Sequence, residues 1–77
     1  MTVTAMTWPE RRYYILLGSR IRQARERAGL TQLELARRVG LHSAPAVCHW
    51  EKGENRLSVY QLTILDRIFE EGWRWTI

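Results

Sequence analysis

The sequence has almost none of the residues that form cross-links in small proteins. It contains one cysteine, Cys48, among 77 residues, so no disulfide can form within the chain. A tetrahedral zinc site needs several ligands, and only His42 and His49 lie near Cys48, with no second cysteine beside them. We therefore expect neither a disulfide framework nor a metal site nor another cofactor. A single thiol fits a reducing cytoplasm.

Long apolar segments are also missing. The longest unbroken apolar run, residues 13–17, is far shorter than the roughly 20 residues that a membrane-spanning helix needs. The first twelve residues lack the basic start and apolar centre of a signal peptide. The sequence therefore predicts a cytoplasmic protein with no membrane partner. Sustained alternation of apolar and polar residues is absent as well, which argues against strands.

The length and the charge narrow the class of protein. Seventy-seven residues allow one domain and exclude the large enzyme folds. No nucleophile–base pair, paired carboxylates or glycine-rich phosphate loop is present, so we do not expect an enzyme. The net charge is +4, and 11 of the 12 cationic residues are arginines, which suit phosphate. By itself this charge fits a polyanionic partner or a solubilising coat equally well.

Capping and stop signals predict an all-α bundle of four or five helices. Thr7 and Glu10 have the spacing of a capping box at the start of the first helix, and Gly29 is expected to end it. Residues 18–19, a Gly-Ser pair, are expected to bend or break this helix. The later helices are expected to start and end at Thr31 and Gly40, at Ser43 and Gly53, and at Ser58 and Gly72.

Apolar residues at helical spacing give each helix one face for a core. The expected core residues are Leu17, Ile21, Ala24, Ala28, Leu35, Ala36, Val39, Val47, Trp50, Leu62, Leu65 and Phe69. Residues 1–6 are expected to be a flexible arm, and 7–77 a single domain. The aromatic end of the chain either covers the fourth helix or is exposed for a partner. The expected dimer or partner interface consists of Tyr13, Tyr14, Trp73, Trp75 and Ile77.

Residues 31–53 have the pattern of two helices, of about nine residues each, joined by a tight turn. Ala36 allows the two helices to approach closely, and Gly40 can adopt the left-handed conformation that starts the turn. Val47 and Trp50 fill the space behind them. This is the helix-turn-helix pattern, in which the second helix can enter the major groove of DNA.

Residues 17–69 resemble the Cro and phage-repressor-like (XRE-type) helix-turn-helix proteins. The pieces that carry the resemblance are R-x-x-R-x-x-x-G-L-T-Q-x-x-L-A, then V-G, then W-E-x-G-x-x-x-x-S-x-x-x-L. One departure is an extra residue between Gly40 and Glu51, which we place in the turn at 41–42. This longer turn is expected to change the aim of the recognition helix, residues 43–52.

The resemblance implies a DNA-binding surface on and around the recognition helix. Gln32 matches a position that grips a phosphate, and His49 one that contacts a base or a phosphate. Ala44 and Pro45 match base-reading positions but carry no side-chain donor or acceptor, so they can contact only a thymine methyl or allow close approach. The expected DNA-contacting residues are Gln32, His42, Ser43, Ala44, Pro45, His49, Lys52, Asn55 and Arg56.

The resemblance also implies a structural ion pair between Arg25 and Glu51, which would tie the first helix to the recognition helix. A simpler interpretation stands beside each assignment. The ion pair could be solvated, His42 and His49 could be ordinary surface residues, and Cys48 fits a small filler better than a redox switch.

The function that the resemblance implies is a homodimeric, sequence-specific regulator that binds double-stranded DNA, most simply a repressor. It would be associated with the nucleoid in the cytoplasm. Two alternatives remain open. The same fold can be an antitoxin-type module that binds a partner protein, and residues 55–65 resemble the matching segment of restriction-modification controller proteins.

Overall fold

The computed structural model describes residues 5–75, and in that range it has four α-helices and no strand. The helices are α1 (Trp8–Arg27), α2 (Gln32–Arg38), α3 (Ala44–Glu51) and α4 (Val59–Ile68). The prediction of an all-α bundle is confirmed. Residues 1–4 of the expected arm, and Ile77 of the expected interface, lie outside the described residues. None of the four helices is long and apolar enough to cross a membrane.

Short polar side chains start the helices, as predicted, but the details differ between them. Thr31 and Ser58 each form a complete capping box with the residue three positions on. Thr7 accepts a hydrogen bond from the backbone N–H of Glu10 at 3.3 Å. The box is not complete as it is at the other two helices: the carboxylate of Glu10 accepts two hydrogen bonds from Arg56, and the backbone of Thr7 contributes only a smaller share to the lowered pKa of Glu10.

The first three helices end at the glycines that the sequence predicts. Gly29, Gly40 and Gly53 have φ angles of 71°, 87° and 73°, a region that favours glycine. Each donates its N–H to the carbonyl three residues earlier, and the next residue donates to the carbonyl five residues earlier. The second set of bonds joins Leu30 to Arg25, Leu41 to Ala36 and Glu54 to His49. α2 has seven residues and α3 eight, both shorter than expected.

The fourth helix ends earlier than predicted. α4 stops at Ile68, and Phe69 adopts an extended conformation with φ −93° and ψ 162°. Gly72, the expected end, lies in the turn that follows. Leaving the helix allows the ring of Phe69 to pack edge-on against Trp73, with 5.0 Å between the ring centroids. The early end of α4 thus coincides with a core contact between Phe69 and Trp73.

The bend expected at residues 18–19 is wrong, because α1 is continuous. Gly18 instead allows α1 to pack closely against the end of α3. A Cβ atom at this position would overlap the carbonyl oxygen of Trp50 and would lie 2.9 Å from that of Glu51. The glycine therefore sets the distance between the two helices rather than the shape of one.

A single core joins all four helices. It contains Leu17, Ile21, Ala24, Leu30, Leu35, Ala36, Val39, Val47, Trp50, Leu57, Leu65, Phe69 and Trp73. Of the predicted core residues, Ala28 is exposed because it occupies the C-cap of α1, and Leu62 is half-buried. α3 packs on both α1 and α2, so these two helices together determine which face of α3 meets solvent.

Candidate functional site

The candidate site is the outer face of α3 and the residues that flank it. Val47 and Trp50 point into the core, which turns Pro45 and His49 outward. Eight helical residues span about 12 Å, enough to lie along part of a major groove. The sequence pattern predicts these inward and outward positions correctly.

Four residues, at positions 42–45, surround the N-terminal end of α3. His42, Ser43 and Pro45 are exposed, and Ala44 is half-buried. Ser43 occupies the N-cap position, but its side chain makes no capping hydrogen bond, unlike Thr31 and Ser58 at the other helices. Ser43 therefore starts α3 as predicted, but without a side-chain hydrogen bond to the helix. Its hydroxyl is not committed to the end of α3.

An ion pair holds α3 to α1 beneath this face. Arg25 donates from Nε to Glu51 Oε2 at 2.6 Å and from Nη2 to Glu51 Oε1 at 3.2 Å. The side chains of Arg25 and Glu51 are 13% and 6% exposed. The hydrogen bond to Glu51 raises the pKa of Arg25 above its ordinary value. Nη1 of Arg25 donates to the carbonyl of Leu30 at 2.9 Å, which ties the same guanidinium to the end of α1.

Gln32 joins this network from α2. Its Nε2 donates to Glu51 Oε1 at 3.1 Å, so one carboxylate connects three helices. A primary amide nitrogen carries a second N–H, which leaves Gln32 one donor for an outside partner. Gln32 and Lys52 line the same open hollow on the surface, together with Arg22 and Cys48. The structure thus brings together two of the expected phosphate-contacting residues, and the half-buried Cys48 lines the same hollow.

The C-terminal end of α3 carries a contact that the sequence reasoning missed. Nδ1 of His49 lies 2.7 Å from Oε1 of Glu54. Glu54 directly follows Gly53, and its backbone N–H donates to the carbonyl of His49 at 2.9 Å. A glycine stop four residues after a residue of interest is a signal that could have found this pair, because it folds the chain back so that the fifth residue lies beside that residue.

A second missed contact joins the segment after α3 to the start of α1. Arg56 donates from Nε and Nη2 to the two carboxylate oxygens of Glu10, at 2.5 and 2.8 Å. This hydrogen bonding lowers the pKa of Glu10 and raises that of Arg56. The two residues are 46 positions apart, and no local pattern relates them. Asn55, next to Arg56, is exposed.

The aromatic end of the chain separates into a buried and an exposed part. Trp73 is 4% exposed, and its Nε1 donates to Asp66 Oδ1 at 2.8 Å, so it covers α4. Trp75 is 78% exposed and lines a shallow hollow with Tyr13, which is 52% exposed. Tyr14 is half-buried and packs edge-on against Tyr13. Trp73 therefore fits the interpretation that the aromatic end covers the fourth helix, and Trp75 fits the interpretation that it is exposed for a partner.

Metal-ligating side chains do not cluster in the described part of the chain. No group of three or more His, Cys, Asp or Glu residues there has the arrangement of a metal site.

Comparison with known proteins agrees with this arrangement. A family model described as a helix-turn-helix domain matches residues 16–71. The match begins within α1 and continues past α4, and it includes every residue of the candidate site on and around α3. No curated protein and no solved structure matches the chain.

Proposed function

The chain belongs to the helix-turn-helix domain family of DNA-binding regulators, and on that premise we propose that it regulates transcription by binding specific sites in double-stranded DNA. In this proposal it acts as a homodimeric repressor. Each copy places α3 in one major groove, with half-sites about one helical turn, roughly 34 Å, apart. Occupation of a promoter would then exclude the polymerase.

The observation that carries the proposal is the face that α3 turns to solvent. Glu51, the acidic residue within α3, is buried against Arg25 and Gln32, so its charge is neutralised inside the protein. The exposed positions are Pro45 and His49, which carry no negative charge. Within α3 itself, no carboxylate faces the phosphate backbones; the exposed carboxylate nearest this face belongs to Glu54, which follows α3 and is paired with His49.

The residues at the start of α3 favour close approach. Ala44 and Pro45 are small and cannot hydrogen-bond through their side chains, so they would contact thymine methyl groups or leave room for the helix to lie deeply. Part of the selectivity would then come from the shape and deformability of the DNA. His42 and Ser43 precede them with polar side chains that can reach a base or a phosphate.

Phosphate contacts would flank the helix. Lys52 and Gln32 line one hollow beside α3, and Asn55 and Arg56 follow α3 on the exposed surface. The surplus of arginine in residues 1–28 adds a long-range attraction for a polyanion. These contacts would set the position of the protein and the salt dependence of binding, whereas α3 would read the sequence.

Selection of binding sites from random duplex DNA tests the proposal, followed by measurement of the mass of the selected complex. We expect a nearly palindromic site occupied by two chains. Lys52→Ala should weaken binding to every sequence and reduce the salt slope by about one unit. Arg67→Ala, which removes an exposed arginine on α4, is the matched control and should change neither. Failure of any sequence to be enriched would contradict the proposal.

A second candidate function is favoured by the exposed aromatic pair Tyr13 and Trp75. An antitoxin-type module would use this surface to bind a partner protein, with DNA binding secondary. Co-expression with the product of the neighbouring reading frame in its genome tests this. A stable complex that Trp75→Ala abolishes would support it. A restriction-modification controller would instead bind DNA upstream of a restriction gene.

A further inference from the structure

His49 and Glu54 are joined twice, once through the backbone and once through the side chains. The N–H of Glu54 donates to the carbonyl of His49 at 2.9 Å, and the side-chain atoms Nδ1 and Oε1 lie 2.7 Å apart. The left-handed conformation of Gly53 makes the first bond possible, since it folds the chain back over the last turn of α3. The position of the carboxylate beside the ring therefore follows from the way the helix ends.

The direction of the side-chain hydrogen bond follows from the charge of Glu54. The hydrogen bond with His49 holds the pKa of Glu54 below its ordinary value of 4.5. Lys52, at the end of α3, and Arg11, on α1, are the other charged groups that act on Glu54, and both also favour its ionised form. An ionised carboxylate only accepts hydrogen bonds, so Nδ1 of His49 is the donor.

We propose that Glu54 is a positioning residue for sequence recognition, because it fixes which hydrogen-bonding group His49 offers to DNA. The inference rests on the proposed function, in which His49 faces the major groove. With its proton held on Nδ1 by Glu54, the neutral ring presents Nε2 as an acceptor. Glu54 itself makes no contact with a base.

The hydrogen-bonding groups on the base edges determine which bases His49 would prefer. An acceptor in the major groove pairs with the exocyclic amino group of adenine or cytosine. The other neutral form, with its proton on Nε2, presents a donor instead, which pairs with guanine N7 or O6, or with thymine O4. The preference for adenine or cytosine at one position of the site should therefore weaken when Glu54 no longer holds the proton on Nδ1.

The proton positions can be measured directly by ¹⁵N NMR of the imidazole at pH 8.0. We expect His49 in the unbound protein to carry its proton on Nδ1. Glu54→Gln should preserve this state, since its amide oxygen can accept the same bond, whereas Glu54→Ala should allow both neutral forms. Equal populations of the two forms in the wild-type protein would overturn the inference whether or not the protein binds DNA.

Base preference supplies the second test. At pH 8.0, wild type and Glu54→Gln should prefer adenine or cytosine at one position. Both His49→Ala and Glu54→Ala should lose at least about fivefold of that preference, the low end for a base contact. Circular dichroism of each variant confirms that it is folded.

The outcomes separate this inference from the proposed function. If wild type selects no sequence at all, the proposed function fails. If wild type selects a site and Glu54→Ala retains the same base preference at pH 8.0, the function stands and the role of Glu54 is overturned. The same conclusion follows if His49→Ala leaves every position of the selected site unchanged.

Discussion

The carboxylate of Glu51 on α3 accepts two hydrogen bonds from the guanidinium of Arg25 on α1, at 2.6 and 3.2 Å. Gln32 on α2 donates to the same carboxylate. Because charge-assisted, two-point contacts are strongly directional, this arrangement fixes the orientation of α3 as well as its position. The orientation of the proposed recognition helix thus depends on Glu51, whose side chain would face away from DNA.

Removal of the Glu51 carboxylate should lower the stability of the folded protein. Glu51→Ala leaves Arg25 mostly buried without its acceptor, and we expect the free energy of unfolding to fall by about 3–5 kcal/mol. Urea denaturation followed by circular dichroism measures this. Glu26→Ala is the control, because it breaks the exposed pair with Arg22 on α1 and should cost about 0.5 kcal/mol or less. A loss below 1 kcal/mol for Glu51→Ala would favour the solvated interpretation of the pair.

Gly18→Ala tests the close packing of α1 on α3. Alanine favours a helix over glycine by roughly 0.5–1 kcal/mol, so an isolated helix would gain stability. Here the added methyl group would overlap the carbonyl oxygen of Trp50, and we expect a net loss of about 1–3 kcal/mol. Ser19→Ala, at the next and exposed position, should be neutral or slightly stabilising. Thermal unfolding compares the two, and an equal melting temperature for both variants would contradict the packing argument.

The sequence predicts those parts of the fold that local chemistry decides. Thr31 and Ser58 start helices, and Gly40 and Gly53 end them, because capping bonds and left-handed turns involve residues within one helical turn. The inward positions of α3 follow equally from helical spacing. These features need no knowledge of the neighbouring helices.

The features of the fold that the sequence does not predict depend on contacts between distant segments of the chain. The local tendency of Gly18 is to bend a helix, but its actual role depends on α3, which lies more than 25 residues away in the chain. Phe69 lies at the end of α4 with its ring against Trp73, a contact between segments that the helical spacing of apolar residues does not predict. The carboxylate of Glu10 accepts its two side-chain hydrogen bonds from Arg56, 46 residues away, which the local capping pattern does not predict. A sequence pattern contains none of these distances.

Acid should destabilise the protein through carboxylates that cap or pair. The backbone N–H of Thr31 donates to Glu34 and lowers the pKa of Glu34 below 4.5. A lowered pKa in the folded state contributes stability above pH 4.5, and this is lost as the pH falls through the folded value. We expect the melting temperature to drop between pH 5 and about pH 3. Glu34→Gln, which cannot titrate, should therefore have a lower melting temperature than wild type at pH 6, and the two melting temperatures should converge near pH 3.

Glu10 should compete with DNA for Arg56. Its carboxylate accepts two hydrogen bonds from the guanidinium, so a phosphate must share or displace them. Glu10→Gln weakens the hold and removes a negative charge, and we expect affinity for all DNA sequences to rise about two- to tenfold at low salt. Fluorescence anisotropy over a range of salt concentrations measures this. Arg56→Ala should lower the affinity for DNA, and the double variant with Glu10→Gln should recover little of the lost affinity. A fall in affinity for Glu10→Gln alone would show that Glu10 positions Arg56.

Trp73 and Trp75 should have separable effects, although one residue lies between them. Trp73 is buried against Phe69 and bonded to Asp66, so Trp73→Ala should lower the free energy of unfolding by about 3–5 kcal/mol. Trp75 is 78% exposed, so Trp75→Ala should leave the stability of a monomer within about 0.5 kcal/mol. If Trp75 and Tyr13 form the proposed dimer surface, sedimentation of Trp75→Ala should show weaker association. Unchanged association would show that the dimer contact lies on another face and that the exposed ring of Trp75 does not take part in it.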